Sequence, residues 1–399
     1  MEKFATAAEL LRKHQPERPV LGLRPHAAGR AAQWFLEHFD GEVAYAYKAN
    51  SSVFLLGALF GAGIRHFDVA SLPELEDAAT IPGVEMHFMH PVKSRSAIRR
   101  AYDLGVRSFS LDSEDELKKI VEETHQSSGP ARDLRLFVRV AVPAINSLIP
   151  LENKFGLDGV AAAKLLVKTR QVAAELGITF HVGSQTTTPD AFVTALDSVR
   201  VLIGQAGVVV DRLDVGGGFP AKYANSTPDP LIDFIKAIDD GVEELPVRED
   251  VRLMCEPGRV LVSEAESVIV RVDARRGHSL YINDGGYGTL FDAAHLGFVF
   301  PAHRVEIDGD TSPPRRMEGF ELWGPTCDSI DHMPGPFMLP ADIDEGDYIE
   351  IGNIGAYGRA LAGKFNGYGT YDEVILQDLP FASMFDQDAD SKPQVVQGV

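Results

Sequence analysis

The sequence is poor in cysteine and in positive charge, and each shortage excludes a class of protein. Its 399 residues include two cysteines, Cys255 and Cys327, which are too few for a disulfide framework and indicate a reducing compartment. Lysine and arginine number 38 against 58 aspartates and glutamates, a net charge of −20. This charge argues against binding to nucleic acid or anionic lipid and favours a cationic ligand.

Long apolar runs are also missing. The most apolar stretch, VFLLGALFGAG over Val53–Gly63, is too short to cross a bilayer and contains glycine. The first residues, MEKFATAAELLRKHQPERP, lack the apolar core and the small-residue cleavage site of a secretory signal. We therefore expect a soluble, cytoplasmic protein with no membrane partner.

Short runs typical of strands alternate with amphipathic runs typical of helices, such as Asp115–His125 and Asp158–Gly177. The strand-like runs are Val20–Leu23, Val43–Lys48, His66–Ala70, Met86–His90, Arg107–Asp112, Leu134–Val140, Thr179–Gly183, Arg212–Gly216 and Val251–Glu256. This alternation predicts an α/β fold, a closed TIM-like (β/α)8 barrel over residues 20–260. The runs exceed the eight places of a barrel by one, and the first is the weakest candidate. A doubly wound open sheet is the alternative.

The pattern changes after about residue 260. Long helical patterns end, and β-rich runs joined by glycine and aspartate turns predict a C-terminal all-β domain over residues 261–380. We expect residues 1–19 to pack with this domain. The polar tail, residues 381–399, predicts disorder.

Ionisable and glycine residues collect at the carboxyl ends of the predicted barrel strands, where such barrels place their active sites. These residues are Lys48, Asp68, His90, Arg139, His181 with Ser184, the loop Gly216–Gly218, and Glu256 with Gly258 and Arg259. A single lysine at the end of a strand, as in EVAYAYKANSS, is ordinarily a solvated surface residue. So many such residues converging on one rim predict a site.

The glycines and the lysine together indicate a phosphorylated carbonyl compound. In LDVGGGFP a strand opens into a loop whose N–H groups can approach an anion, although a tight turn alone would also explain the glycines. A partly desolvated lysine such as Lys48 has a lowered pKa and can form a Schiff base. Pyridoxal 5'-phosphate (PLP) meets this description, with Glu256 beside its ring nitrogen and His181 stacked on its ring.

These residues stand within a series of motifs that runs from about Val20 to Gly369. The motifs are YAYKAN, FDVASLPELE, MHPVKS, SLDSEDEL, KFG, HVGSQ, DVGGGFP, CEPGR, INDGGYG, WGPTCDSID and GAYG…FNG. In this order they resemble the PLP-dependent ornithine, lysine and diaminopimelate decarboxylases with an alanine-racemase-like barrel, and eukaryotic-type ornithine decarboxylases most closely. The resemblance implies a carboxy-lyase with a barrel and a C-terminal β-domain.

The resemblance also implies a role for each matching residue. Lys48 would hold PLP covalently, Glu256 would pair with the ring nitrogen, and His181 would stack on the ring. Asp68, Glu74 and Arg139 would orient the cofactor and Lys48, although Asp68 and Glu74 taken alone could be surface carboxylates. The residues that would surround the phosphate are Ser184, Gly216, Gly217, Gly218, Gly258, Arg259 and Tyr357.

A head-to-tail homodimer with shared active sites is implied in the same way. The WGPTCDSID segment would reach the neighbouring subunit's site, where Cys327 protonates Cα and Asp328 binds the distal amine of the substrate. Lys154 would pair across the dimer with Asp331. Taken alone, a lone cysteine is usually a small buried apolar group.

The implied substrate is a basic L-amino acid: L-ornithine, giving putrescine, or L-lysine, giving cadaverine, in polyamine biosynthesis. Asp292 matches a second carboxylate for the distal amine, but the segment from Tyr287 to Asp292 is shorter than in the eukaryotic enzymes and leaves its position open. Ornithine and lysine differ by one methylene, worth about 1–3 kcal/mol, and nothing in the sequence fixes the preference.

Other functions remain open at this point. A meso-diaminopimelate decarboxylase is an alternative, although such enzymes typically have Cys-Glu-Ser where this sequence has Cys327-Asp328-Ser329. A non-catalytic regulatory homologue would be expected to lose Lys48 or Cys327. An isomerase would prefer arginine to Glu256 at the ring nitrogen. No metal is expected.

Overall fold

The computed structural model describes residues 1–127, 129–151, 154–307 and 316–385. Its strands, in chain order, are β1 (Lys3–Phe4), β2 (Val20–Leu23), β3 (Glu42–Ala46), β4 (His66–Val69), β5 (Glu85–Phe88), β6 (Ser108–Leu111), β7 (Arg135–Arg139), β8 (Ser147–Ile149), β9 (Glu175–Thr179), β10 (Ser184–Thr186), β11 (Arg212–Asp214), β12 (Arg252–Cys255), β13 (Glu266–Arg276), β14 (Ser279–Ile282), β15 (Ala302–Arg304), β16 (Met317–Trp323), β17 (His332–Pro340), β18 (Tyr348–Ile351) and β19 (Asp372–Leu376).

The α-helices are α1 (Ala7–Lys13), α2 (Pro25–His38), α3 (Val53–Ala62), α4 (Leu72–Ala78), α5 (Arg95–Asp103), α6 (Glu114–Glu123), α7 (Gly159–Arg170), α8 (Asp190–Ala206), α9 (Leu231–Glu243), α10 (Arg259–Val262), α11 (Phe291–His295) and α12 (Gly358–Leu361). Short 3-10 helices cover Tyr47–Ala49, Ser263–Ala265 and Phe365–Gly367. None of the described helices is both long and apolar enough to span a membrane.

Eight parallel strands close into a barrel in the order β3-β4-β5-β6-β7-β9-β11-β12, with β12 pairing back to β3. Successive strand residues face opposite sides, so Val43 and Tyr45 join the main core beneath the helices while Ala44 joins a separate small cluster inside the barrel. The predicted (β/α)8 barrel is confirmed, and the open doubly wound sheet is excluded.

The surplus strand candidate, Val20–Leu23, belongs to the sheet of the second domain and not to the barrel. Val20–Leu23 (β2) pairs antiparallel with the start of β13 and parallel with β19. The barrel therefore begins after β2, and a boundary at residue 20 places this strand in the wrong domain. The sequence could not show this, because a strand buried on both sides reads as the same apolar run in either sheet.

One barrel strand is shifted from its predicted place. The sixth strand of the barrel, β9, spans Glu175–Thr179, whereas the apolar pattern placed it at Thr179–Gly183. The segment AAELG reads as helix, but α7 ends at Arg170 and β9 pairs with both β7 and β11. Tertiary pairing overrides the helix propensity of this segment.

The second domain is a nine-stranded sheet ordered β1-β19-β2-β13-β14-β16-β17, in which β18 pairs with β13 and β15. The N-terminal segment belongs to it: β1 pairs with β19, and Leu10 and Leu11 of α1 share a buried cluster with Ile269 and Leu376. The short helices α11 and α12 interrupt an otherwise β-rich region.

The first part of the predicted disordered tail is held in place. Glu264 accepts hydrogen bonds from the Ser383 hydroxyl (2.8 Å) and the Met384 N–H (2.7 Å), and buried Phe385 packs against Trp34. The prediction of disorder is therefore wrong for residues 381–385, because the buried carboxylate of Glu264 needs these donors. Residues 386–399 lie outside the described residues.

A buried carboxylate joins the two domains at the mouth of the barrel. Glu266, the first residue of β13, accepts hydrogen bonds from Asn50 Nδ2 (2.7 Å) and Arg359 Nη2 (2.8 Å). The Tyr357 N–H donates to the Ala49 carbonyl (2.8 Å). These bonds fix the loop that follows β3 against the turn that precedes α12.

Candidate active site

Lys48 lies in the 3-10 turn that follows β3, at the carboxyl end of the barrel. Its Nζ donates to Oδ2 of Asp68, 2.7 Å away in β4. The Lys48 side chain is 41% exposed, whereas that of Asp68 is 2% exposed. The amine therefore faces the open mouth and is held by a buried carboxylate.

The pKa of Lys48 is raised, whereas the sequence analysis expected desolvation to lower it. Burial disfavours the ammonium, but Asp68, followed by Tyr357 and Glu256, outweighs it and raises the pKa of Lys48 above its ordinary value. Before Lys48 can act as a nucleophile, its ammonium must lose a proton, and the Asp68 carboxylate is the acceptor in contact with it.

Glu74 supports the Asp68 loop through the start of α4. Ser71 caps the helix by accepting from the Glu74 N–H (3.4 Å), and Glu74 Oε2 accepts from the Ala70 N–H (2.7 Å). The arrangement resembles a capping box, except that Glu74 reaches the N–H of the residue before the N-cap. Burial and the charge of Asp68 raise the pKa of Glu74, so its carboxyl group lies near the site but is committed to the helix terminus.

Glu256 follows β12 and is 5% exposed. Its Oε1 is buried and finds no hydrogen-bond partner among the described residues. Burial, then the charges of Asp214 and Asp68, raise the pKa of Glu256 well above its usual range, against the opposing effect of Lys48 and Arg139.

Asp214, the last residue of β11, was missed by the sequence analysis. It is fully buried, accepts from the Thr179 hydroxyl (2.6 Å) and the Gly216 N–H (2.9 Å), and pairs in register with Met254 of β12, so its side chain lies on the same face as that of Glu256. The motif LDVGGG displays this aspartate, but the register that points its side chain at Glu256 emerges only when the barrel closes.

His181 lies two residues beyond β9 and is half-buried. Its Nδ1 accepts from the Gly183 N–H (3.1 Å), which places the ring proton on Nε2. Burial, together with the charges of Arg139 and Lys48, holds the pKa of His181 well below its usual value. The ring is therefore neutral at neutral pH.

The glycine loop after β11 packs directly on His181 and Glu256. A Cβ on Gly217 would lie 2.7 Å from the Glu256 carbonyl oxygen and 3.2 Å from His181 Nε2. Gly216 has φ of +68°, and a Cβ there would lie 2.0 Å from the Phe180 carbonyl oxygen. The glycines are thus required by packing as well as by any approach to an anion.

Arg259 connects the other predicted phosphate ligands. Its Nε donates to Ser184 Oγ (3.3 Å), and its Nη1 donates to the Tyr223 hydroxyl and to Asp292 Oδ2, both at 3.0 Å. The guanidinium carbon lies 5.0 Å from the centre of the Tyr357 ring. Gly258 immediately precedes Arg259 at the start of α10.

Asp292 does not stand free for a substrate amine. Its carboxylate forms an ion pair with Arg259, and the two side chains are 5% and 4% exposed respectively. The assignment of Asp292 to the distal amine stays a prediction; in this structure, where the preceding segment is short, its carboxylate is paired with Arg259.

Cys327 and Asp328 lie on a loop of the second domain. Cys327 is exposed, and its N–H donates to Asn366 Oδ1 (3.1 Å). Asp328 Oδ2 accepts from the Tyr287 hydroxyl (2.6 Å), and its Oδ1 accepts from the Ile330 N–H (3.1 Å). These two bonds, the tyrosine first, lower the pKa of Asp328, so its carboxylate is charged at neutral pH.

The implied pair between Lys154 and Asp331 is not supported. Asp331 is 1% exposed, and its oxygens accept from the Gly286 N–H (2.7 Å) and from the Thr326 N–H (3.1 Å) and hydroxyl (2.6 Å). A carboxylate so enclosed in its own chain is inaccessible to an ammonium group of another subunit. It shapes the loop that carries Cys327 instead.

A possible metal cluster lies elsewhere, at the amino ends of the barrel strands. Glu42, His66 and His87 bring candidate ligand atoms within 4.8 Å of one another. Glu42 accepts two hydrogen bonds from Arg212 Nη1 (2.9 and 3.0 Å), and His66 Nδ1 lies 3.0 Å from His87 Nε2. Glu42 is thus paired with Arg212 and the two histidines with each other, while the buried His87 Nδ1 has no partner among the described residues.

Comparison with known proteins agrees with this geometry. Residues 26–263, the barrel with its glycine loop and lysine, match the model of the pyridoxal-dependent decarboxylase family, pyridoxal binding domain. The chain belongs to this family. PLP is therefore the cofactor of this decarboxylase.

Similar relatives share most of this decarboxylase's length. The lysine/ornithine decarboxylase of Selenomonas ruminantium is 32% identical over 361 residues, 88% of this chain and 87% of the relative. The ornithine decarboxylase of Schizosaccharomyces pombe is 33% identical over 356 residues, covering 83% and 77%. The diaminopimelate decarboxylase of Pseudomonas fluorescens is 30% identical over 358 residues, covering 86% and 82%.

The fold is shared as well. The arginine decarboxylase of Paramecium bursaria Chlorella virus, solved with agmatine, superposes with a TM-score of 0.82 at 25% identity, covering 93% of this decarboxylase and 99% of that chain. Both domains therefore match solved enzymes of this family.

The residues at the barrel mouth fit PLP. The buried Glu256 Oε1 without a donor is suited to a ring N–H. The donors of Ser184 and Arg259 lie together near Tyr357, as a phosphate requires. Lys48 presents a primary amine at the same rim.

Proposed function

We propose that this protein decarboxylates a basic L-amino acid in the cytoplasm, L-ornithine to putrescine and also L-lysine to cadaverine, as a step of polyamine biosynthesis. The observation that carries the proposal is the charged carboxylate of Asp328 beside Cys327, which suits a substrate whose distal end is an ammonium group. The strongly acidic chain, with a net charge of −20, favours a cationic substrate as well.

The barrel residues would hold the cofactor as follows. Lys48 would bond PLP covalently, Glu256 would face its ring nitrogen, the neutral ring of His181 would stack on it, and Asp68 and Arg139 would orient the assembly. The phosphate would be held by Ser184, Gly216, Gly217, Gly218, Gly258, Arg259 and Tyr357. When bound, PLP supplies the electron sink for the electrons left behind by departing CO2. Cys327 then donates a proton to Cα.

Asp328 also discriminates among amino acids. A diaminopimelate carries a carboxylate at its distal end, and like charges held in contact repel one another. The Tyr287 hydroxyl and Ile330 N–H are already used by Asp328. Ornithine and lysine place only an ammonium there, so they are preferred.

The exposed loop favours a head-to-tail homodimer. Cys327 and Asp328 border a cavity of about 460 Å³ whose described lining, such as Tyr281, Trp323 and Tyr368, comes only from the second domain. Around the loop, Ile330, Phe365 and Tyr368 are 55%, 43% and 44% exposed. An apolar surface of this kind is suited to a partner subunit, whose barrel would receive Cys327.

The substrate is tested by product identification. The purified protein is incubated with PLP and with ornithine, lysine, arginine or meso-diaminopimelate, and amines are quantified by mass spectrometry. We expect putrescine from ornithine and a smaller yield of cadaverine. Asp328→Asn should lower kcat/KM for ornithine by about 10- to 150-fold, the cost of one charge-assisted hydrogen bond of roughly 1.5–3 kcal/mol.

The other outcomes of this experiment are equally clear. Lysine formed from meso-diaminopimelate, with no amine from ornithine, would establish the diaminopimelate decarboxylase. PLP bound without turnover of any of the four amino acids would contradict the proposal and favour the regulatory homologue. Equal kcat/KM values for Asp328→Asn and wild type would remove Asp328 from the substrate site.

The shared site predicts that two inactive variants restore each other. Lys48→Ala removes the barrel nucleophile, and Cys327→Ala removes the loop acid. After subunit exchange each heterodimer contains one site with both residues native, so activity should reach about a quarter of wild type, because half of randomly paired dimers are mixed. Activity is measured as both amine and CO2, since loss of Cys327 can divert the product.

Differently tagged chains confirm that exchange has taken place. If tagged heterodimers form and the mixture is no more active than the separate variants, Cys327 acts in its own chain and the shared site is refuted.

A further inference from the structure

Behind the predicted contact of Glu256 with the ring nitrogen lies a second carboxyl group, Asp214, to which the proposed function gives no role. It is fully buried at the end of β11. Two donors, the Thr179 hydroxyl (2.6 Å) and the Gly216 N–H (2.9 Å), orient it. It pairs in register with Met254 of β12, two residues before Glu256, and the Glu256 N–H donates to the Gly216 carbonyl (2.8 Å), so the two side chains lie side by side on the same face of the barrel wall.

Two buried carboxylates placed side by side cannot both be ionised without strong repulsion, whereas one proton shared between them leaves a single negative charge. Glu256 Oε1 lacks any donor among the described residues when both groups are ionised. The nearby charges do not remove the repulsion: Asp68 adds to it, and Lys48 and Arg139 oppose it only in part, so the pKa of Glu256 remains well above its usual range.

We propose that Asp214 and Glu256 share one proton in the cofactor-free protein and that this proton passes to the ring nitrogen when PLP binds. The inference rests on the proposed position of Glu256 at that nitrogen. The proton leaves the carboxyl pair, which goes from one negative charge to two, and the pyridine nitrogen gains the proton and one positive charge. Asp214 is thus a positioning residue that acts through Glu256.

This arrangement has a consequence for the bound state. The ring N–H would face two negative charges, Glu256 and, beside it, Asp214, both on buried side chains. Both charges favour the protonated nitrogen. Asp214 would therefore hold the proton on the ring nitrogen more firmly than Glu256 could alone, and Thr179 and Gly216 keep Asp214 oriented while it is ionised.

Infrared difference spectroscopy tests the shared proton without measuring turnover. Wild-type protein stripped of PLP is compared with the same protein after PLP is added. We expect loss of a carbonyl band of a protonated carboxyl group on binding, and we expect that loss to be absent from Glu256→Gln and Asp214→Asn. Thr179→Val, which removes a donor but keeps both carboxyl groups, should retain it.

Two results would overturn the inference. One is the absence of such a band change in wild type, a measurement that needs no variant to fold. The other is an unchanged band loss in Asp214→Asn, which would mean that burial alone keeps Glu256 protonated.

Calorimetry provides an independent count of protons. PLP is titrated into cofactor-free protein at one pH in two buffers of different ionisation enthalpy. Asp214→Asn should take up about one more proton from the buffer than wild type, while Thr179→Val should match wild type; equal uptake by all three refutes the proposal. Both tests use PLP alone, so amine production by the wild type would leave the proposed function standing if the shared proton failed.

Discussion

Replacing Lys48 with alanine should abolish decarboxylation of ornithine, with a loss on the order of 10³-fold or more, because the covalent attachment and the positioning of PLP are lost together. The visible absorbance of the Schiff base should disappear as well. Activity is measured as CO2 release and as amine formed, and cofactor content is measured on the same sample.

Two further variants separate chemistry from stability. Lys48→Arg keeps a positive charge beside the buried Asp68, yet its guanidinium cannot form a Schiff base, so it should be as inactive as Lys48→Ala while remaining more stable. Lys236→Ala, an exposed lysine on α9, should behave as wild type. An active Lys48→Arg enzyme would contradict the covalent role.

Replacing Glu256 with glutamine should lower kcat on the order of 10²-fold, the scale found when one preorganised electrostatic group is removed from an active site. PLP should remain bound, because Lys48 and the phosphate ligands are unchanged. The defect arises because an unprotonated pyridine ring withdraws electrons poorly. Steady-state kinetics with measured PLP occupancy distinguish loss of chemistry from loss of cofactor.

Glu264 supplies the matched control for Glu256. It is also a buried glutamate, but it holds the C-terminal segment through Ser383 and Met384. Glu264→Gln should lower the Tm and leave kcat close to wild type. If Glu256→Gln retains most of its kcat, the electron-sink role assigned to this residue is wrong.

The barrel could be predicted from the sequence because each buried parallel strand forms a compact apolar run between helices. The position of a run along the chain does not say which sheet it enters, and Val20–Leu23 entered the other one. The sequence correctly placed Asp68 and Arg139 at the carboxyl ends of their strands: Asp68 is next to the last residue of β4, and Arg139 is the last residue of β7. The strand β9 was predicted too late in the chain, because its AAELG segment has the composition of a helix.

The candidate site also contains residues that could be predicted from the sequence and residues that could not. Lys48, His181 and Glu256 could be found because motifs display reactive residues in order along the chain. The ion pair of Asp292 could not be foreseen, because its partner Arg259 lies 33 residues away and only the fold brings the two side chains together. Asp214 escaped notice for the same reason: an aspartate beside three glycines gains its meaning from Glu256.

A lowered pKa alone does not identify the lysine that forms the Schiff base. Lys93 is 4% exposed, and burial lowers its pKa to about 8, the property expected of a Schiff-base lysine. Its Nζ is enclosed by the carbonyl oxygens of His90 (2.8 Å) and Ser110 (2.5 Å) and by Glu116 (3.1 Å). Lys48 has a raised pKa but is accessible at the barrel mouth, so access and position decide in its favour.

Mapping the lysine that carries PLP tests this account most directly. The holoenzyme is reduced with borohydride, digested, and its peptides are sequenced by mass spectrometry, with Lys48→Arg as the control. We predict a pyridoxyl group on Lys48, in the segment YAYKANSS, and no labelled peptide from Lys48→Arg. A pyridoxyl group on Lys93 or on any other lysine of the wild-type protein would contradict the assignment of the active site.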